Sequence, residues 1–235
     1  MTEATAGSGP FETTGRPAGH RAAMRANHAR AELRRRLPRL LIGLLLCGWG
    51  IASMVAADLG LGPWDVLHQG LSRRSGIPIG TMGILVGLLV LGLWLPLRER
   101  PGVGTVLNVI VIGIVIDVTL LVLATPDALW VRWVMMLAGP ALFAVGSGFY
   151  IGSGLGPGPR DGVMTGLARL GIPVGVARAA IELSVLAAGW MLGGTVGAGT
   201  LAFALGIGPL VHVFLPRLSV PDAVGHTSGQ GESSV

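Results

Sequence analysis

The chain has 235 residues, 51% of them hydrophobic and only 12% charged, with 39 glycines, one cysteine and a formal charge of +5. Soluble domains carry roughly 25% charged residues, so this composition excludes an ordinary globular protein and points to a membrane protein. The lone Cys47 excludes an intrachain disulfide framework or a thiolate metal site.

The charge comes first along the chain. Residues 1–39 hold eight Arg and three Glu, whereas residues 40–235 hold nine Arg and nine acidic residues. The excess sits just before the first apolar run, in Arg30, Arg34, Arg35, Arg36 and Arg39. That is where the positive-inside rule expects it for a cytoplasmic N-terminus, and anionic headgroups attract it there. It argues for a lipid partner and against nucleic acid. Residues 1–36 read as a disordered Arg-rich tail, too polar to be a secretory signal.

Six apolar stretches follow, over about 40–57, 79–97, 103–125, 129–151, 172–194 and 197–215. Each has about the 17–25 residues needed to cross a hydrocarbon core, and none carries the polar face a soluble helix needs. With the N-terminus inside, six crossings return the C-terminal tail, 218–235, to the cytoplasm. Arg98, Arg100, Arg160, Arg169 and Arg217 then lie inside, and Arg73, Arg74 and Arg132 outside.

Between the first two spans lies Leu59-Gly60-Leu61-Gly62-Pro63-Trp64-Asp65, and between the fourth and fifth Leu155-Gly156-Pro157-Gly158-Pro159-Arg160-Asp161. In a register of 96 residues, Leu59, Gly60, Gly62, Pro63, Asp65, Gly70, Leu71 and Arg73 match Leu155, Gly156, Gly158, Pro159, Asp161, Gly166, Leu167 and Arg169. Arg36, Gly43 and Gly50 match Arg132, Gly139 and Gly146 in the same register. After one deletion the register becomes 95, pairing Gly76-Ile77-Pro78 with Gly171-Ile172-Pro173, Gly80 with Gly175, and Gly102-x-Gly104-Thr105 with Gly197-x-Gly199-Thr200. Such self-similarity marks a duplicated folding unit. The units are 37–125 and 126–217, each with three crossings. Three is odd, so the second unit enters from the opposite face, giving the inverted repeat that many secondary transporters use for alternating access.

In each Gly-Pro segment the proline suits the first turn of a helix. Asp65 and Asp161 fall in that turn, opposite the positive end of the dipole. Gly76 and Gly171 end helices of about 11 residues, roughly 17 Å and too short to span. Two readings stay open. Each helix lies on the interface, with Asp as a cap and Arg73 or Arg169 facing headgroups, or each is a re-entrant half-helix aimed into a polar cavity. In the second reading Gly60, Gly62, Pro63, Asp65, Gly156, Gly158, Arg160 and Asp161 line a substrate site. The Gly-rich turn beside Arg160 then suits an anion.

Ionisable residues inside spans are costly and raise a functional hypothesis. Asp117 in the third span and His212 in the sixth occupy equivalent positions and form a natural pair, as do Arg178 and Glu182, four apart on the fifth. Asp117, Glu182 and His212 are candidates for ion coupling or gating, and Arg178 for binding an anionic group. The alternatives are a structural pair for Arg178–Glu182, a wet interfacial position for His212 and a helix–helix hydrogen bond for Asp117.

Gly60-Leu61-Gly62-Pro63-Trp64-Asp65-Val66-Leu67, Gly158-Pro159-Arg160-Asp161-Gly162-x-Met164-Thr165-Gly166-Leu167, Arg178-x-x-x-Glu182, Gly189-Trp190-x-Leu192-Gly193-Gly194-x-x-Gly197-x-Gly199-Thr200 and Ile207-Gly208-Pro209 together resemble the YczE branch of the YczE/YyaS/YitT family. The likeness covers about residues 40–217. It implies a bacterial integral membrane protein of unsettled activity.

The expected fold is an all-α bundle of six transmembrane helices in two inverted three-helix repeats, in the bacterial inner membrane. Two functions compete: transport of a small anionic or polar solute, or a non-transporting scaffold acting on a membrane partner, with a homodimer also open. An enzyme is not expected, because no positioned nucleophile and base and no HExxH motif is present. No cofactor or metal is expected either.

Overall fold

The computed structural model describes residues 18–99 and 101–218, with side chains from Ala31 onward. Arg100, the Arg30 side chain and the expected tails before 18 and beyond 218 lie outside the described residues. The chain divides into two units at Arg35/Arg36. The described part of the first is the beginning of helix α1, which runs Ala18–Ala57. Residues 18–36 are therefore helical where the composition suggested disorder, because Ala, Arg, Met and Glu are strong helix formers.

In the second unit, α1 is followed by α2 (Pro63–Ser75), α3 (Ile79–Gly92), the single turn α4 (Trp94–Leu97) and α5 (Val103–Leu120). Then come α6 (Leu129–Ile151), α7 (Pro159–Arg169), α8 (Val174–Met191) and α9 (Ala198–Leu218). Six stretches are long and apolar enough to cross a membrane: Ala31–Ala57, Ile79–Leu97, Val103–Leu120, Leu129–Ile151, Val174–Met191 and Ala198–Leu218. They match the six expected spans closely. α2 and α7 are the two short Gly-Pro helices, with Pro63 and Pro159 in their first turns. α2 ends at Gly76 in the left-handed conformation, φ 74°, which glycine adopts without a Cβ clash.

Small residues bring the long helices together, as in lipid where close backbone approach replaces a hydrophobic drive. α1 crosses α6 at two glycine contacts. A Cβ at Gly43 would lie 2.6 Å from the Gly146 carbonyl oxygen, and one at Gly50 would lie 2.6 Å from that of Gly139. α3 packs along α5, where Gly80 meets the Gly113 backbone.

The short helices are held by the loops of the other sequence unit. The Gly199 N–H donates to the Leu59 carbonyl at 2.8 Å, and the Gly104 N–H to the Leu155 carbonyl at 2.9 Å. Arg132 donates to the carbonyls of Ala57 and Asp58 at 2.7 and 2.8 Å, while Arg36 donates to that of Ser153 at 3.4 Å. α2 packs on α8, and α7 packs on α3 and α4. Trp94 anchors the latter contact: it is buried against Gly162, and its indole N–H donates to the Pro159 carbonyl at 2.9 Å.

Candidate functional site

A cavity of about 730 Å³ lies where the first turns of α2 and α7 meet the faces of α3, α5, α8 and α9. The Gly-Pro turns build its centre. Because each proline begins a helix, Trp64 and Asp65 on α2, and Arg160 and Asp161 on α7, project from first turns into the same space. Arg160 stacks on Trp64, its guanidinium carbon 4.8 Å from the ring centroid, a favourable cation–π distance. It also approaches Asp65 at 3.9 Å, tying one Gly-Pro segment to the other. Asp65 is 4% exposed and has His68 3.6 Å away on the next turn.

Several donors here lack acceptors. Among the described residues Arg160 makes no hydrogen bond, although its guanidinium carries five N–H groups, and the buried Trp64 indole N–H has no partner. Buried polar groups are normally satisfied; the Trp64 N–H is the exception in this cluster, while the Arg160 side chain is about one-third exposed to the cavity. Most of the remaining wall is apolar, from Val86 and Val90 on α3, Ile112 and Ile116 on α5, and Phe143 and Phe203.

The two carboxylates of the repeat differ. Asp161 lies beside Gly158 and its carboxylate faces Arg160, whereas Asp65 is paired with Arg160 at 3.9 Å and with His68 at 3.6 Å. The crowded cavity wall around Asp161 raises its pKa above the ordinary carboxylate range, opposed by the Arg160 charge, although the residue remains exposed to the cavity. Burial lowers that of His68, opposed by the neighbouring Asp65 carboxylate.

Of the residues singled out from the sequence, Gly62, Pro63, Asp65, Gly158, Arg160, Asp161, Arg178, Glu182 and His212 all line this cavity. Arg178 and Glu182 form the expected pair at 3.0 Å. Gly60 and Gly156 do not line it. They sit against the Gly-x-Gly-Thr loops, where a Cβ would meet Thr200 or Thr105 at 2.7 Å.

Asp117 takes the alternative role left open for it, a helix–helix hydrogen bond, and not the pairing with His212. It is not in the cavity wall. Its carboxylate accepts from the Gly80 N–H at 2.6 Å, the Thr81 N–H at 2.7 Å and the Thr81 hydroxyl at 2.7 Å. The N-cap of α3 is Pro78, which offers no side-chain acceptor, so α5 supplies the cap from outside the helix.

Arg73 and Arg169 also make contacts within the protein. Arg73 donates to the Gly193 carbonyl and the Thr195 hydroxyl, and Arg169 pairs with Glu99 at 3.3 Å. His68, Ser147 and Tyr150 are cavity residues that were not singled out. His68 had a signal in the sequence, its i,i+3 spacing from Asp65. Tyr150 and Ser147 had none, since nothing in an apolar span tells which face meets a cavity.

Residues 34–216 match the family described as "Family of unknown function (DUF6198)". An uncharacterized protein of Haemophilus influenzae is 41% identical over 177 residues, covering 75% of this chain and 81% of that protein. The Bacillus subtilis "Uncharacterized membrane protein YczE" is 31% identical, covering 74% of this chain and 83% of its own length. The B. subtilis "Uncharacterized protein YyaS" is 26% identical over 74% of this chain and 90% of its own. No solved structure matches. With six apolar spans and similarity over most of its length, the chain belongs to the DUF6198 family, within the YczE/YyaS group of integral membrane proteins.

Proposed function

We propose that the protein moves a small solute bearing an anionic group across the bacterial inner membrane, by alternating access of two inverted halves. The observation that carries this reading is that contacts between the halves occur in reciprocal pairs around the cavity. Gly43 and Gly139 are equivalent in the repeat, as are Gly50 and Gly146, and the contacts are Gly43 with Gly146 and Gly50 with Gly139. The amide-to-carbonyl bonds at Leu59 and Leu155, and those from Arg132 to Ala57 and Arg36 to Ser153, obey the same exchange. A two-fold axis relating the halves produces this pattern. Trp64 and Arg160 are each other's equivalents and touch, so they flank that axis, at the junction where inverted-repeat transporters place their substrate.

The two Gly-Pro helices are then re-entrant, their N-terminal turns meeting in the cavity. Arg160 and the Trp64 N–H engage the anionic group, Arg178 and Glu182 face it from α8, and the apolar wall takes the rest of the molecule. The arginine-rich N-terminus is cytoplasmic. The activity is transport and involves no bond-making step.

The test is uptake by proteoliposomes of hippurate, phenyl phosphate and phenylalanine, which represent a carboxylate, a phosphate and a zwitterion. Saturable uptake of at least one, lost in Arg160→Gln, is expected. Protein that is well folded but neither binds nor takes up any of them would defeat the reading and favour a scaffold role.

A further inference from the structure

The two halves are not in the same conformation. In the first, α3 lies along α5, Gly80 against Gly113, with Asp117 on the α3 amides. The equivalent positions in the second are Gly175, Gly208 and His212. There a Cβ at either glycine would meet nothing within 4 Å, and α8 does not pack along α9. The outward positions Val176, Leu183 and Leu205 are more than half exposed, and the cavity reaches Gly208 and His212.

We propose that α8 and α9 form a gate held open in this structure, whose closed form is the α3–α5 arrangement, with Gly175 on Gly208 and His212 as the latch. This rests on the alternating-access reading. The latch chemistry follows from the equivalence. α8 also begins after a proline, Pro173, with no side-chain cap, so its first N–H groups are left for an outside acceptor. An imidazole nitrogen supplies one acceptor where Asp117 supplies two oxygens and a charge. The His212 latch therefore holds less tightly, consistent with the open state on this side.

The seam is also different. Gly83 and Gly87 of α3 correspond to Arg178 and Glu182 of α8. Val109, against which Gly87 packs, corresponds to the smaller Ala204. Closure carries the Arg178–Glu182 pair from the cavity wall into the seam beside Ala204, so it is favoured when the cavity content has engaged that pair. With a cytoplasmic N-terminus, the first turn of α8 is on the inner side and the open gate faces the cytoplasm.

Spin labels test this on the full chain in liposomes, in a Cys47→Ala background. One pair is placed at Ala180 and Val213, the other at the equivalent Leu85 and Val118; all four are exposed. The expected result is two distances for Ala180–Val213, the shorter matching the closed Leu85–Val118 distance, with populations that shift oppositely in the two pairs when hippurate is added. His212→Asn keeps an acceptor and retains the short population. His212→Leu reduces it roughly fivefold, the change matching one net hydrogen bond. Gly208→Leu, which blocks the approach sterically, removes it.

A single long Ala180–Val213 distance in folded protein, with or without hippurate, overturns the gate. An unchanged short population in His212→Leu overturns the latch and with it the proposal. Exchanging distances without uptake of any probe leave the gate standing and remove the transport reading. Uptake with one fixed distance does the reverse.

Discussion

Arg160 is where the two Gly-Pro segments stop being copies. Its equivalent is Trp64, and the pair stacks instead of repelling, as two arginines would. Replacing Arg160 with Gln removes a charged multi-donor group. Hippurate affinity, followed by titration calorimetry in detergent, should fall roughly 10- to 100-fold, the loss expected for charge-assisted hydrogen bonds. Arg160→Lys should recover part of it, since an ammonium keeps the charge but not the fork.

Asp161 sets a pH dependence. Its raised pKa means that it takes up a proton while the pH is still above the ordinary carboxylate range. Protonation removes a negative charge beside Arg160 while hippurate stays ionised. Affinity should therefore rise as pH falls through that window, and Asp161→Asn should hold the higher affinity across it. The sign for folding is parallel. The ionised form is the costly one in the native state, so stability declines as pH rises from the unfolded value to the raised native one. Asp161→Asn should flatten that slope in thermal melts. That both aspartates sit in first turns was legible from Pro63 and Pro159. That Asp65 meets Arg160 of the other segment was not, because it depends on side-chain geometry.

At the scale of elements, Asp117 shows how far an intramembrane charge can be from a functional site. It resolves the open amides of α3 that Pro78 cannot cap. Asp117→Ala should destabilise the protein by about 1–3 kcal/mol, the cost of leaving buried donors unmet. Hippurate affinity measured below the melting transition should change little. A selective loss of affinity with unchanged melting would return Asp117 to the site.

Trp94 is the matching anchor for α7. Trp94→Ala should cost about 3–5 kcal/mol and weaken ligand binding as well, because it releases the helix that carries Arg160. Gly146→Leu should cost at least about 1–3 kcal/mol by overpacking, since the carbonyl of Gly43 occupies the space a side chain needs. Helix lengths and ends were readable in advance from apolar runs, prolines and Gly76. Which helices touch was not, because apolar spans with little periodic polarity leave their packing faces unmarked.

For the whole molecule, the arginine distribution predicts both termini on the cytoplasmic side. Fluorescent-protein and alkaline-phosphatase fusions at the N-terminus, after Arg98 and after Leu218 should all report cytoplasm, and fusions after Ser75 or Pro126 the outside. Opposite results for the two termini would break the six-span topology. Arg73 and Arg132, which this topology assigns to the outer side, both approach Asp58, at 3.8 and 3.6 Å. These outer arginines thus serve loop closure, and the bias itself rests on the N-terminal cluster.

The sequence by itself determined the membrane class, six spans, two short Gly-Pro helices and the duplication, because length, hydropathy and proline or glycine placement act locally along the chain. It also brought forward nine residues that meet in one cavity. Only the tertiary structure decided that Asp117 caps a helix, that Arg160 reaches across to Trp64 and Asp65, and that α3 packs along α5 while α8 does not pack along α9. Those depend on contacts between residues tens of positions apart, where near-identical motifs adopt different arrangements because their neighbours differ.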